Sequence, residues 1–178
     1  MAFDREQFKR VMVVVAHTDD EVIFFGSLIS WFAERGAVLV VAMSAERRGA
    51  FDKVMQEVGV EWWSFTSAVN SGRAQRLSTQ ETMNLVKGVQ SEFDDFQPDL
   101  VVSHGRTGEY GHQYHIATHT ASLCVARNMK TPFLERSSEG DVVFDVEPRK
   151  AGWLKEYDLP KPQSWNKYIN KPERYLCG

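Results

Sequence analysis

Two cysteines in 178 residues are too few for a disulfide framework. Cys124 and Cys177 share no metal or redox spacing, and Cys124, inside the apolar run "ASLCVA", is expected to be a buried structural thiol. Such sparse cysteine points to a reducing, cytoplasmic setting. Basic charge is also short: 21 Lys and Arg face 24 Asp and Glu, leaving a formal net charge of −3. That removes the electrostatic reason to expect nucleic acid as a partner. Long apolar runs are missing, since the longest, "VIFFGSLISWF", is about half of what a membrane span needs. The polar opening "MAFDREQFKR" lacks the apolar core of a signal peptide. Several catalytic signatures are absent as well. There is no G-x-S-x-G elbow, no Walker loop, no G-x-G-x-x-G after the first strand and no H-E-x-x-H helix.

What is present is patterned. With 43% hydrophobic residues, a chain of this length is expected to fold as one domain over residues 1–178. Val11 to Ala16 form a continuous apolar run, the mark of a strand buried on both faces of a parallel sheet. A helix is expected from about Asp19 to the "ERG" ending at Gly36. "AVLVVAMS" follows as a strand, "RGAFDKVMQEVGV" as an amphipathic helix and "EWWSF" as a short strand. "STQE" then opens a long helix as a capping box, Ser78 to Glu81. "PDLVVSH" is the fourth strand and "GHQYHIATHTASLCVARN" a helix after a glycine-rich loop. Beyond it, "DVVFDV" suits an edge strand and "RKAGWLKEY" a short helix, while the tail from Leu159 onward is expected to be irregular. Such alternation predicts an α/β, Rossmann-like three-layer sandwich with a mostly parallel sheet and helices on both faces. Ligands in such sheets bind beyond the C-terminal strand ends. That rule places "HTDDE", "SAERRG" and "HGRTGEYGHQYH" around one crevice.

Histidines concentrate there. Four of the five lie between positions 104 and 119, and the fifth is in "HTDDE". A helix from about Gly111 would put His112, His115 and His119 on one face. Several charges at the end of a buried strand are costly unless something neutralises them. A catalytic zinc does so with three protein ligands and an open position for water. His17 and Asp20 can reach one ion across the turn into the helix, and one histidine of the second segment completes the set. Spacing does not choose among His112, His115 and His119. Asp19 is left to act as general base.

"AHTDDE" resembles the "AHPDDE" signature of the LmbE/PIG-L family of zinc-dependent N-acetylglucosaminyl deacetylases. "GEYGHQYH" is similar to that family's second signature, and "QPDLVVSH" to the strand before it. The resemblance spans roughly residues 11–127. It implies a metal-dependent hydrolase that removes the acetyl group from an N-acetylglucosamine-type sugar or its conjugate, with Zn2+ as cofactor, one per chain. Its implied ligands are His17, Asp20 and His115, with Asp19 as general base and His112 as the group that stabilises the oxyanion and protonates the departing amine. Tyr110 matches an aromatic near the substrate carbonyl. Arg48 matches an arginine that holds the sugar, with Arg47 the adjacent candidate. Glu21 is expected to support the ligands, Glu109 to order the loop or bind a substrate hydroxyl, and His104, at a strand end, to contact substrate. The tail aromatics Trp153, Tyr157, Trp165 and Tyr168 are candidates for a sugar-stacking wall or for the core.

The chain departs from the family at Thr18, where proline is usual, at Asp52, where relatives carry Glu, in "TSAVNSG", which lacks an acidic residue, and at "PQSW", a faint echo of a C-terminal element. These departures surround substrate choice rather than the metal. The rival functions are a metal-dependent amidase or phosphoesterase acting on a non-sugar substrate, and a non-catalytic carbohydrate-binding module. A small molecule or glycoconjugate is the expected partner, and a homo-oligomer is compatible with the sequence.

Overall fold

A computed structural model describes residues 3–65, 77–159 and 162–178, and "TSAVNSG" lies outside them. Five strands run parallel: β1 (Arg10–Val15), β2 (Ala37–Ala42), β3 (Trp62–Phe65), β4 (Leu100–Ser103) and β5 (Phe133–Arg136). Two more, β6 (Val142–Phe144) and β7 (Glu173–Cys177), join antiparallel. The sheet order is β3-β2-β1-β4-β5-β7-β6. β1 is central, and its alternate residues feed opposite layers, which is why it is apolar without interruption. Val11, Val13 and Val15 pack with α1 (Asp20–Ala33), α2 (Arg48–Val58) and α6 (Lys150–Lys155). Met12 and Val14 pack with α3 (Thr79–Phe96) and α5 (Gln113–Asn128). The three-layer α/β sandwich is as expected. The capping box is present too, with Ser78 and Glu81 bonding each other's backbone N–H.

Three expectations are corrected. The tail is not irregular: after α7 (Asn166–Ile169) it enters the sheet as β7 between β5 and β6. α5 begins at Gln113 rather than Gly111, so His112 is its N-cap, accepting the Tyr114 N–H at Nδ1 (3.3 Å), and not a member of its face. Cys124 is exposed, because the inward face of α5 is set by Ala121, Ser122, Val125 and Ala126.

β7 also reaches into α1. The N–H groups of Ser27 and Leu28 donate to the Glu173 carboxylate (2.9 and 3.0 Å). The carbonyls four residues back, of Ile23 and Phe24, accept from Lys150 Nζ (3.2 Å) and the Tyr175 hydroxyl (3.0 Å). Lys150 Nζ and Glu173 pair at 2.7 Å with both side chains buried. Gly26 makes room, since a Cβ there would lie 3.1 Å from Lys150 Cγ. This polar network, set into the helix ladder, ties the C-terminal strand to the helix that begins with Asp20.

Candidate active site

β1 ends at Val15, and the chain turns through His17, Thr18 and Asp19 into α1. Asp19 has φ 145°, a left-handed backbone that costs about 1–3 kcal/mol for a residue with a side chain. Its N–H donates to Glu21 Oε2 (2.8 Å), and its carbonyl accepts from Val22 and Ile23 (3.1 and 3.0 Å). Glu21 is itself buried, and burial pushes its carboxyl up to about 8. The Tyr157 hydroxyl bonds its other oxygen. Thr18, in place of proline, accepts the Arg47 N–H at Oγ1 (3.0 Å) and so joins the β1 and β2 loops.

The second segment leaves β4 through Gly105, where a Cβ would lie 2.2 Å from the Arg136 carbonyl, so only glycine lets the loop pass β5. It then makes the single turn α4 (Gly108–Gly111) and reaches His112. Glu109, at φ 56°, folds its carboxylate back beneath the histidines. Its Oε2 accepts from His115 Nδ1 (2.6 Å) and His104 Nδ1 (3.0 Å), and its Oε1 accepts the Gly105 N–H (2.9 Å). Burial opposes the charge on Glu109, but the two histidines outweigh it and hold the carboxyl down to about 2.

These turns bring His17 Nδ1, Asp20 Oδ2 and His115 Nε2 together. Asp20 Oδ2 lies 3.0 Å from His17 Nδ1 and 3.4 Å from His115 Nε2, and the two nitrogens are 3.3 Å apart. Tetrahedral ligands of an ion at zinc–nitrogen and zinc–oxygen distances stand about 3.3–3.4 Å from one another. Two other groups offer three ligand atoms within 4.8 Å of one another: His17, His112 and His115, and Asp20, His104 and His115. In the second, both His104 nitrogens are committed, Nδ1 to Glu109 and Nε2 to the Ala16 N–H (3.0 Å). In the first, His112 Nδ1 accepts from Tyr114, so a neutral ring carries its proton on Nε2. His112 is neutral: burial, then His115 and His17, bring it down to about 4. His115 differs, because Glu109 takes its Nδ1–H and turns the Nε2 lone pair toward His17 and Asp20. Burial would raise Asp20, yet His115 and His17 hold it well below the usual carboxylate range. Asp19 moves the other way, up to about 7, through burial and the neighbouring Asp20 charge.

The expected substrate contacts divide. Tyr110 is 48% exposed, its ring 5.7 Å from that of His112 and 6.1 Å from that of Trp165. Arg48 points elsewhere: its guanidinium sits 3.7 Å from Asp52 and stacks on Phe65. Arg47 reaches the site, with Nη1 3.3 Å from Asp19 Oδ2. One residue of helix phase separates them, and the Thr18 bond to the Arg47 backbone fixes which side chain turns inward. Asp52 is likewise used structurally, accepting the Trp63 Nε1–H (2.7 Å). His104 is fully buried behind His115 and is not placed to touch substrate. Glu109 is spent on the histidines. His119 is buried and donates from Nδ1 to the His104 carbonyl (2.8 Å). Trp153 and Tyr157 belong to the core, whereas Trp165 and Tyr168 stay part-exposed, Trp165 beside Tyr110 and Tyr168 against Phe24. Tyr157 was missed as a support for Glu21, and no local pattern could have joined residues 136 positions apart.

No family model matches the chain. A curated relative, the 1D-myo-inositol 2-acetamido-2-deoxy-alpha-D-glucopyranoside deacetylase of Corynebacterium diphtheriae, is 26% identical over 158 residues, covering 69% of this chain and 54% of the relative. The chain thus spans about half the length of the curated relative it matches. Among solved structures, the N,N'-diacetylchitobiose deacetylase of Pyrococcus horikoshii superposes with a TM-score of 0.75 at 14% identity, over 97% of this chain and 85% of that one. The zinc-inhibited form of teicoplanin deacetylase gives 0.67 at 18% identity, over 95% and 97%. At such identities the structures speak for the fold. In sequence the chain is similar to the curated deacetylase, and in fold to the solved ones.

Proposed function

We propose that this chain is a metal-dependent hydrolase that removes the N-acetyl group from an N-acetylglucosamine-type amino sugar or its conjugate. The observation that carries this is the triangle of His17 Nδ1, Asp20 Oδ2 and His115 Nε2, with edges of 3.0, 3.3 and 3.4 Å. His17, Asp20 and His115 would hold the ion, and two imidazoles with one carboxylate suit zinc. Bound there, the ion supplies Lewis acidity that polarises the amide carbonyl and acidifies a water.

The chain supplies the rest. Asp19 takes the proton of the attacking water at Oδ1 while Arg47 holds Oδ2. Burial raises the Asp19 carboxyl above its ordinary range and makes it a better proton acceptor. His112, neutral and protonated at Nε2, donates to the carbonyl oxygen as charge builds on it. This state suits the oxyanion role implied by the resemblance. The water oxygen joins the acyl carbon and the C–N bond breaks. The proton taken by Asp19 balances the one gained by the amine, and acetate and a free amino sugar leave. Tyr110 lines the approach.

We also propose that residues 1–178 make one catalytic domain, supported by the single sheet that the described strands share. A reducing, cytoplasmic setting is supported by the two unpaired cysteines. Among the described residues no helix is long and apolar enough to cross a membrane.

Elemental analysis after re-equilibration with zinc, together with acetate release from acetylated amino sugars, tests the reading. Wild type and Asp19→Asn should each hold about one ion per chain, and His115→Ala should lose it. Asp19→Asn should also lose about 100-fold or more in turnover. Metal held equally well by His115→Ala would overturn the ligand set. Phosphate release from esters, with no acetate from any acetylated sugar, would overturn the reaction.

A further inference from the structure

Buried acids are usually paired with a cation, and Glu21 is not. It is 1% exposed, no cation pairs with it among the described residues, and both of its oxygens are taken by neutral groups. Oε2 accepts the Asp19 N–H (2.8 Å), and Oε1 bonds the Tyr157 hydroxyl. An acid without a cation costs stability in the interior, where an apolar side chain of similar size would not. What Glu21 gains for the fold is a grip on one peptide group, that of Asp19, a residue held at φ 145°. Such a conformation persists only where the surroundings over-determine it.

The surroundings can be named. The Asp19 carbonyl is fixed by the Val22 and Ile23 N–H groups (3.1 and 3.0 Å), which belong to α1 itself. Its N–H, on the other side of the residue, is held by Glu21, and Glu21 is held in turn by Tyr157. Tyr157 is 3% exposed and lies two residues beyond the end of α6. That helix is firmly seated. Lys150 at its start donates to the Ile23 carbonyl (3.2 Å) and pairs with Glu173 (2.7 Å), Trp153 and Leu154 are buried, and Glu156 meets Lys53 of α2 (2.6 Å). The Tyr157 hydroxyl therefore stands at a fixed height against the first turn of α1. With its backbone fixed on both sides, Asp19 turns its carboxylate toward Arg47, 3.3 Å from Oδ2.

We propose that Tyr157 is a positioning residue for the deacetylation, acting through the Glu21 carboxyl group to hold Asp19 in the backbone conformation that aims its own carboxylate at the attacking water. The proposal rests on the deacetylase reading, in which Asp19 is the general base. Neither Tyr157 nor Glu21 meets the reacting atoms.

The zinc-loaded protein is assayed for acetate release from a panel of N-acetylglucosamine glycosides. Tyr157→Phe keeps the ring and removes only the hydroxyl. It should lower kcat about tenfold, since a small misplacement of a reacting group is costly, while KM moves less than about twofold. Asp19→Asn/Tyr157→Phe should be no slower than Asp19→Asn, because the hydroxyl then has no base left to aim. Tyr175→Phe removes another buried hydroxyl that bonds α1, at the Phe24 carbonyl (3.0 Å), and should leave kcat within about twofold. A second arm follows amide hydrogen exchange in metal-free protein. The Asp19 amide should exchange at least about tenfold faster in Tyr157→Phe than in wild type, with the Leu28 amide unchanged. Unchanged exchange at Asp19 overturns the proposal whatever the turnover. So does an unchanged kcat, or a double variant slower than Asp19→Asn by the factor that Tyr157→Phe costs wild type. If wild type releases acetate from no sugar while Tyr157→Phe still frees the Asp19 amide, the deacetylase reading falls and the grip on Asp19 stands.

Discussion

The Glu109 carboxylate meets two imidazoles and a backbone N–H at once, and this explains why a residue of such odd backbone conformation sits within "GEYGHQYH". It fixes the tautomer that leaves His115 Nε2 free to bind. Glu109→Gln should therefore weaken zinc affinity about 10–100-fold, read by competition with a chromophoric chelator, while the fold persists. Unchanged affinity would mean that His115 is oriented by packing alone. Arg47 and Arg48 make a second test at this scale. A charged hydrogen bond of about 1.5–3 kcal/mol to Asp19 predicts that Arg47→Ala lowers kcat/KM at least about tenfold. Arg48→Ala, which removes only an exposed pair with Asp52, should change it less than about threefold. The reverse order would restore Arg48 as the sugar contact. Helix phase decides between adjacent arginines, and the bond that sets the phase, from the Arg47 N–H to Thr18, spans 29 positions.

Elements show why β7 escaped notice. Its buried positions are Glu173 and Tyr175, and a glutamate facing the core argues against a strand until its partner is known. Lys150 on α6 is that partner, and the two together hold the backbone of α1 between Ile23 and Leu28. Removing one member strands a charge in the interior. Lys150→Met should cost about 3–5 kcal/mol in urea denaturation. The double variant Lys150→Met/Glu173→Gln, with no charge left unpaired, should recover part of that loss. A cost below about 1 kcal/mol for Lys150→Met would show that the pair is not part of what holds α1. The capping box, by contrast, was legible because both of its partners lie within one helical turn.

For the whole molecule, burial of histidines links folding to pH. His119 is buried on α5, donates to the His104 carbonyl and lies 3.5 Å from Glu135. Burial outweighs that carboxylate and holds His119 below its ordinary 6.5. As pH falls through 6.5 the unfolded chain takes up a proton that the folded chain refuses. Stability is thus full above that pH and declines below it. In metal-free protein, His119→Gln should make the slope of unfolding free energy between pH 6.5 and 5 shallower, by at most about 1.4 kcal/mol per pH unit. An unchanged slope would mean that the folded ring takes up the proton too. The fold and the gathering of "AHTDDE" and "GEYGHQYH" at the strand ends could be read along the chain, because strand burial, helix caps and these two segments are local patterns. That His104 is buried behind His115, that Glu109 bonds both rings, which arginine turns inward and that Tyr157 backs Glu21 were decided by tertiary structure. Those facts depend on distances between side chains far apart in sequence, and no local period encodes them.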